Sequence, residues 1–227
     1  MTINQAYEFI KFVYNKAQSG YITPSQFNTL APIMQMSLIN DRLGNVKKYV
    51  PGRPQPPNGF NMNQKIREEL RPLMVTPTTT TVTAGVAAFP ADYLYYDTIS
   101  AGGKLVQEVT EDQVIELNDS LIRPPTTDFP KFVLHSNGIN VYPTSITSIK
   151  LSYVKKPTDP VWNYTMVNDE PVYAASGGVV GDGNSVDFST GPTTHLEICN
   201  MILSAIGVHL SMPEIAQYAE QQQLKGS

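Results

Sequence analysis

The sequence predicts an α+β protein in which N- and C-terminal helices form a bundle and an antiparallel β-domain, a sandwich or barrel-like meander, is inserted between them. Apolar residues recur at helical spacing near both chain ends, whereas alternating apolar and polar residues fill the middle. Glycine and proline turn signals separate the alternating runs. The expected bounds are 1–75 for the N-terminal helices, 76–192 for the β-domain with one short helix, and 193–227 for the C-terminal helices.

The N-terminal region carries two helix-start signals. Thr2 and Gln5 form a T-x-x-Q capping box ahead of an apolar stripe. Thr23 is followed by Pro24 and Gln26, which places proline at the first helical position. Both signals predict helices that bury one face in the bundle.

Proline residues restrict where helices can form in the rest of the N-terminal region. Pro32 falls about two turns into the second helix and should kink or divide it. The segment 50–60 is proline-rich and predicts an extended, semi-rigid connector. Asn61 then predicts a short third helix that Arg71 and Pro72 end.

The central region begins with strand and turn signals. Thr78–Thr83 is a β-branched run, which favours a strand. Gly102-Gly103 favours a hairpin turn. Thr110 and Gln113 repeat the capping box and predict a helix of about two turns.

The stretch from Phe129 to Pro157 predicts a three-stranded meander. Asn137-Gly138 favours a two-residue type I′ turn, because both residues tolerate positive φ. Pairing outward from this turn sets Leu134 opposite Val141. The predicted apolar face comprises Phe132, Leu134, Ile139, Val141, Ile149, Leu151 and Tyr153.

Residues 159–190 predict two short strands, at 172–174 and 186–188, on either side of a glycine-rich loop. Trp162 is expected to pack on the sheet. Because glycine leaves the backbone conformationally free, we expect the loop to be mobile or to be ordered by a partner. The predicted partner-ordered residues are Gly177, Gly178, Val179, Val180, Asp182 and Asn184.

The C-terminal region predicts two helices. Thr194 and Glu197 open the first, which has the strongest apolar stripe in the chain. Ser211 and Glu214 open the second, whose apolar stripe is thin, so we expect a docking arm, with an ordinary exposed helix as the alternative. The predicted docking-arm residues are Ile215, Tyr218, Ala219, Gln221, Gln222 and Leu224.

Composition narrows the classes of function. Charged residues make up only 16% of the 227 residues, which suits either a surface covered by neighbouring proteins or an ordinary β-rich domain. The net charge is −4 and no basic patch is present, so we expect no specific nucleic-acid binding. The absence of a signal peptide and of an apolar run of ~18 residues predicts a soluble protein made in a reducing cytosol, without a membrane partner.

Motifs for catalysis and metal binding are missing from the sequence, so we expect no enzyme, metal or cofactor. No G-x-S-x-G elbow and no zinc-binding spacing occurs. Cys199 and His195 could form a dyad, but they lie in an apolar stripe, which favours a buried, inert thiol. Asp182 and Asp187 could ligate calcium, but a tight turn is favoured.

The order of these segments resembles the adaptor, or head–tail connector ring, proteins of tailed bacteriophages. The order includes the stretch FPADYLYYDTISAGGKLVQEVTEDQ, and the most distinctive piece is the pattern I-x-V-Y-P … I-x-L-x-Y-x-K-K-P. The resemblance covers roughly residues 85–225. Within that family, the chain is most similar to the ring proteins of short-tailed, crAss-like phages.

This resemblance implies a structural virion protein. It would form a homo-oligomeric ring, commonly of about twelve copies, below the portal protein at one capsid vertex. The ring would extend the DNA channel, which the genome crosses without specific binding, and would contact further ring or tail proteins. The C-terminal helix would reach the portal, and assembly would occur in the cytoplasm of the bacterial host. The alternative is a virion β-sandwich module that binds a receptor or carbohydrate.

Overall fold

The computed structural model describes residues 1–16, 21–44, 64–120 and 124–209, and it confirms a mixed α+β protein. The chain divides into two compact units. The terminal unit consists of Met1–Pro72 and Pro157–Ser227, and the central unit consists of Leu73–Lys156. Residues 157–192, which we expected to belong to the β-domain, group with the terminal segments in the structure.

The described residues contain five α-helices, and the first two begin at the predicted capping boxes. The Thr2 N–H donates to Gln5 Oε1 at 2.9 Å, and the Thr23 N–H donates to Gln26 Oε1 at 3.0 Å. Pro32 lies inside the second helix without dividing it. The helices are α1 (Ile3–Lys16), α2 (Pro24–Gly44), α3 (Gln64–Leu70), α4 (Glu111–Asp119) and α5 (His195–His209).

One hydrophobic core joins α1, α2 and α5 in the terminal unit. Each helix buries residues three or four positions apart, as an amphipathic helix does. Ile22, Trp162 and Phe188, from outside the helices, complete the set of buried residues in this core. The buried helical residues are Ile3, Ala6, Tyr7, Ile10, Tyr14, Phe27, Ala31, Leu38, Ile198, Cys199, Ile202, Leu203 and Ile206.

Eight of the ten described strands form one sheet in the order β4-β3-β8-β1-β2-β7-β6-β5. All neighbouring strands are antiparallel except β5 and β6, which are parallel. The strands are β1 (Met74–Thr83), β2 (Val86–Ala87), β3 (Tyr93–Ala101), β4 (Lys104–Leu105), β5 (Gln107–Glu108), β6 (Lys131–His135), β7 (Gly138–Tyr142), β8 (Ser148–Lys155), β9 (Tyr164–Val167) and β10 (Glu170–Tyr173).

The eight-stranded sheet is barrel-like and nearly closed. Its edge strands, β4 and β5, are separated in the chain by Val106 alone, so one short continuous segment pairs with β3 at one end of the strand order and with β6 at the other. Val106 is buried, and its N–H donates to the Ile99 carbonyl at 2.9 Å. Of the two β-architectures left open by the sequence, the structure therefore favours the barrel-like one.

The predicted turn at Asn137-Gly138 is displaced by one residue. His135 pairs with Gly138, so Ser136 and Asn137 form the turn and Gly138 begins β7. Neither turn residue has positive φ, so the turn is not type I′. Glycine is needed at 138 because a Cβ there would lie 2.3 Å from the Ala87 carbonyl oxygen.

This displacement changes the partners across the hairpin but leaves its faces unchanged. Leu134 lies opposite Ile139 instead of Val141, which pairs with Phe132. The two-residue turns that do have positive φ at both positions join β1 to β2, β3 to β4 and β9 to β10. Six of the seven residues predicted for the apolar face are buried, and only Leu134 is exposed.

Among the described residues, no helix is both long enough and apolar enough to span a bilayer.

Candidate functional site

The hairpin β9–β10 is the best candidate for a contact surface in the terminal unit, and Trp162 anchors it. The backbone N–H of Trp162 donates to Asn28 Oδ1 at 2.8 Å, and Asn28 Nδ2 donates to the Trp162 carbonyl at 3.0 Å. The indole N–H donates to Asn4 Oδ1, and the ring stacks on Tyr7 with centroids 4.1 Å apart. Trp162 therefore packs on α1 and α2, and the expectation that it packs on the sheet was wrong.

The two strands of the hairpin pair from Tyr164 with Tyr173 to Val167 with Glu170. The Ala174 N–H donates to the Asn163 carbonyl, so the alternation of an antiparallel ladder turns the nitrogen of Pro171 away from β9. Proline has no backbone N–H, so at Pro171 the outer edge of β10 lacks a hydrogen-bond donor for a further strand. This disfavours pairing of another strand with β10. The side chains of the hairpin are thus better placed than its backbone to bind a partner.

Several large apolar side chains on this hairpin and the loop beside it are exposed. All are at least 36% exposed, and the most exposed are Met166 at 54% and Val179 at 63%. Because side chains alternate along a strand, both faces of the hairpin carry them. We call this set the hairpin surface; it consists of Met166, Val167, Val172, Tyr173 and Val179.

Asn163 holds the glycine-rich loop against the hairpin. This side chain is fully buried, and its Oδ1 accepts from the N–H groups of Tyr164 and Val180. Its Nδ2 donates to the carbonyls of Val180 and Asn184. A Cβ on Gly178 would lie 2.0 Å from Asn163 Oδ1, so only glycine fits there.

The predicted partner-ordered loop lies within the described residues, next to the hairpin. The Val179 N–H donates to the Tyr164 carbonyl, and the Gly178 N–H donates to the Gly183 carbonyl. That a partner orders the loop stays a prediction. The structure brings together Gly177, Gly178, Val179, Val180, Asp182 and Asn184, and connects them to β9 through Asn163.

The residues proposed for calcium have other roles. Asp182 Oδ1 accepts from the Asn184 N–H at 3.0 Å, which makes a tight turn, and Asp187 Oδ1 accepts from the Ile3 N–H at 2.6 Å. Across the described part of the chain, no group of three or more His, Cys, Asp or Glu side chains is placed to hold a metal ion.

The predicted docking arm, Ile215, Tyr218, Ala219, Gln221, Gln222 and Leu224, lies outside the described residues, as does the connector at 50–60.

Cys199 and His195 do not form a dyad. The two ring nitrogens of His195 lie 2.8 Å from the Met1 carbonyl oxygen and 3.1 Å from the Thr190 carbonyl oxygen. Burial raises the pKa of the Cys199 thiol to about 12. A thiol with this pKa is protonated at neutral pH and is a poor nucleophile.

An ion cluster joins α2, α3 and α5. Arg42 Nε lies 2.9 Å from a carboxylate oxygen of Glu69, and Arg42 Nη2 lies 2.5 Å from one of Glu197. Burial raises the pKa of Glu197 above its ordinary value, although Arg42 lowers it in part. Both Arg42 and Glu69 are largely buried, so the cluster has a structural role in the terminal unit.

A second apolar feature lies on α2. Pro32, Ile33, Met36, Ser37 and Asn40 line a shallow groove on the face of the helix opposite its buried residues. Ile33 is exposed there. Among the described residues, its lining contains no charged side chain.

Sequence reasoning missed the hairpin β9–β10 as a unit. A signal was present, since Asn168 and Asp169 both tolerate positive φ and lie between the runs Y-T-M-V and E-P-V-Y. The exposure of its apolar residues could not be inferred from their pattern, which also fits a buried strand.

No protein-family model matches the chain, and a comparison with curated proteins finds no significant relative.

Proposed function

We propose that this chain is a structural virion protein, the subunit of an oligomeric ring at the portal vertex of a tailed bacteriophage. The ring connects the capsid portal to the tail and extends the DNA channel. The resemblance of residues 85–225 to phage adaptor proteins supports this function. In this proposal the N- and C-terminal helices form a bundle, and the β-domain is inserted between them in the chain.

The observation that carries the proposal is the hairpin surface. Monomeric proteins seldom leave several large apolar side chains exposed together on one small element, and such groups mark protein contacts. A subunit that is covered on several sides by neighbours also needs few charges, which agrees with the 16% charged composition.

The charge of the chain suits passage of DNA. With a net charge of −4, a ring of this protein would not accumulate the phosphate contacts that give nucleic-acid affinity. The genome could then slide through the channel without being held. Salt-sensitive, submicromolar binding of duplex DNA to the isolated protein would contradict this part of the proposal.

Co-sedimentation with the portal protein of the same phage tests the proposal. We expect the chain to migrate with the portal as a large complex, whereas a receptor-binding or carbohydrate-binding module would not join it. A variant that lacks residues 212–227 tests the docking arm in the same gradient. If that variant melts at the same temperature but no longer joins the portal, the arm reaches the portal; if it still joins, the segment is not required for that contact.

A further inference from the structure

The two faces of the β9–β10 hairpin differ in what lies against them. The ring of Trp162 stacks on that of Tyr164, with centroids 5.7 Å apart, and its centroid lies 6.1 Å from that of Tyr173. Tyr164 and Tyr173 pair across the hairpin, so both lie on the face that Trp162 joins to the helical core. The base of that face is therefore already in contact with the rest of the terminal unit.

The opposite face of the hairpin is open to solvent. Because side chains alternate along a strand, this face carries the cross-strand pairs Thr165 with Val172 and Val167 with Glu170. Val167 is 50% exposed and Val172 is 47% exposed, and Glu170 is exposed as well. We call this set the outer hairpin face; it consists of Thr165, Val167, Glu170 and Val172.

Glu170 determines which partner can cover the outer hairpin face. It lies opposite Val167 and two positions before Val172 on the same face, so a surface that covers both valines also removes the Glu170 carboxylate from water. Among the described residues, Glu170 has no cation within salt-bridge distance. Burial of an unpaired carboxylate is unfavourable, so the partner must supply a cation of its own.

The surroundings of the outer hairpin face are acidic as well. Asp169 in the turn is exposed, as is Asp182 in the loop that Asn163 holds beside β9. No lysine or arginine occurs between Lys156 and Lys225. A basic partner is therefore favoured over a neutral or acidic one. Because the chain as a whole is acidic, with a net charge of −4, a different protein is favoured over a second copy as the source of the cation.

We propose that the outer hairpin face binds a basic and apolar surface of another protein. A lysine or arginine of that protein pairs with Glu170, while its apolar side chains cover Val167 and Val172. This inference rests on the proposed function, in which the portal protein is the partner in direct contact with the ring. Apolar contact supplies affinity, and the ion pair fixes the register and disfavours acidic surfaces.

Substitutions on the outer hairpin face test this contact, with the purified portal protein as the probe. Val167→Thr with Val172→Thr keeps the β-branched shape that suits a strand but removes apolar contact. Glu170→Lys reverses the charge of the face. The controls are Met166→Thr, on the opposite face of the same hairpin, and Glu116→Lys, at an exposed position of α4. Circular dichroism melting confirms that each variant is folded.

The readout is the Kd for the portal protein, measured by surface plasmon resonance. We expect the double threonine variant and Glu170→Lys each to raise the Kd by about tenfold or more, as the loss of a central contact does, whereas both controls bind as the wild type does. A higher salt concentration should weaken the wild type more than Glu170→Lys, because salt screens an ion pair at the surface.

The possible failures are distinguishable. If the wild type binds the portal and the outer-face variants bind equally well, this contact is wrong but the ring function stands. If Met166→Thr weakens binding as much as the double threonine variant, the contact is not made by the outer face. If the variants bind the portal normally but no longer assemble with their own copies, the occupant is a second copy and the inference is overturned. If the wild type neither assembles nor binds the portal, both the contact and the proposed function fail.

Discussion

Gly178 lies directly over the side chain of Asn163, at a distance that leaves no room for a Cβ atom. A methyl group at 178 would lie 2.0 Å from Asn163 Oδ1 and 2.4 Å from its Cγ. The Asn163 amide is the hydrogen-bonding centre of the loop beside the hairpin, so the two residues together determine where Val179 is presented.

Gly178→Ala is therefore expected to displace Asn163 and to lower the free energy of unfolding by about 1–3 kcal/mol, as overpacking does. Chemical denaturation measures the loss. Ser176→Ala is the control in the same loop, because Ser176 is exposed and its replacement should change stability by less than about 0.5 kcal/mol. Equal stabilities of the two variants would show that the loop accommodates the methyl group.

Asn28→Ala should also destabilise the terminal unit. It removes both hydrogen bonds that the Asn28 side chain makes to the backbone of buried Trp162, and unpaired buried groups cost about 1–3 kcal/mol. Thr29→Ala, at an exposed neighbouring position of α2, is the control. Trp162 is the only tryptophan, so its fluorescence reports the change at the site itself. An unchanged melting curve and emission maximum would mean that Asn28 does not hold Trp162.

The pH dependence of stability should depend on Glu197. Because burial raises the pKa of Glu197 in the folded state, the protonated form favours folding, and this contribution is lost as pH rises through the folded pKa. Glu197→Gln removes the titration but keeps a hydrogen-bond acceptor for Arg42. From pH 4 to pH 7, the melting temperature of the wild type should fall relative to that of Glu197→Gln. A constant difference across this range would contradict the assignment.

The two cores can be tested separately. Leu151→Ala in the central unit and Ile202→Ala in the terminal unit each truncate a fully buried side chain and should cost about 2–5 kcal/mol. Ile115→Ala and Leu196→Ala are the controls, since both residues are at least half exposed. A near-neutral result for either buried position would show that its face is wrongly assigned.

Local signals in the sequence predicted most of the helices. The capping pairs at Thr2, Thr23 and Thr110 act over three residues, so they are visible without knowledge of the fold. The alternation around Ile149 and Leu151 likewise predicted which face of β8 is buried.

Long-range contacts determined what the sequence could not predict. The sequence predicted Gly138 as a turn residue. In the structure, glycine is needed there because the carbonyl of Ala87, 51 positions away in the chain, lies against its backbone. Asn28 on α2 hydrogen-bonds to the backbone of Trp162, 134 positions away in the chain. This contact holds the start of the β9–β10 hairpin against α2. The hairpin surface became apparent only when the exposure of its residues was known.

The proposal that this chain is a ring subunit can be tested by the oligomeric state of the purified chain, alone and mixed with portal protein. Negative-stain electron microscopy with mass photometry gives both the shape and the number of copies. We expect closed rings, which stack coaxially on the portal when it is present. A single-copy particle at every concentration, which also leaves the portal unoccupied, would contradict this proposal.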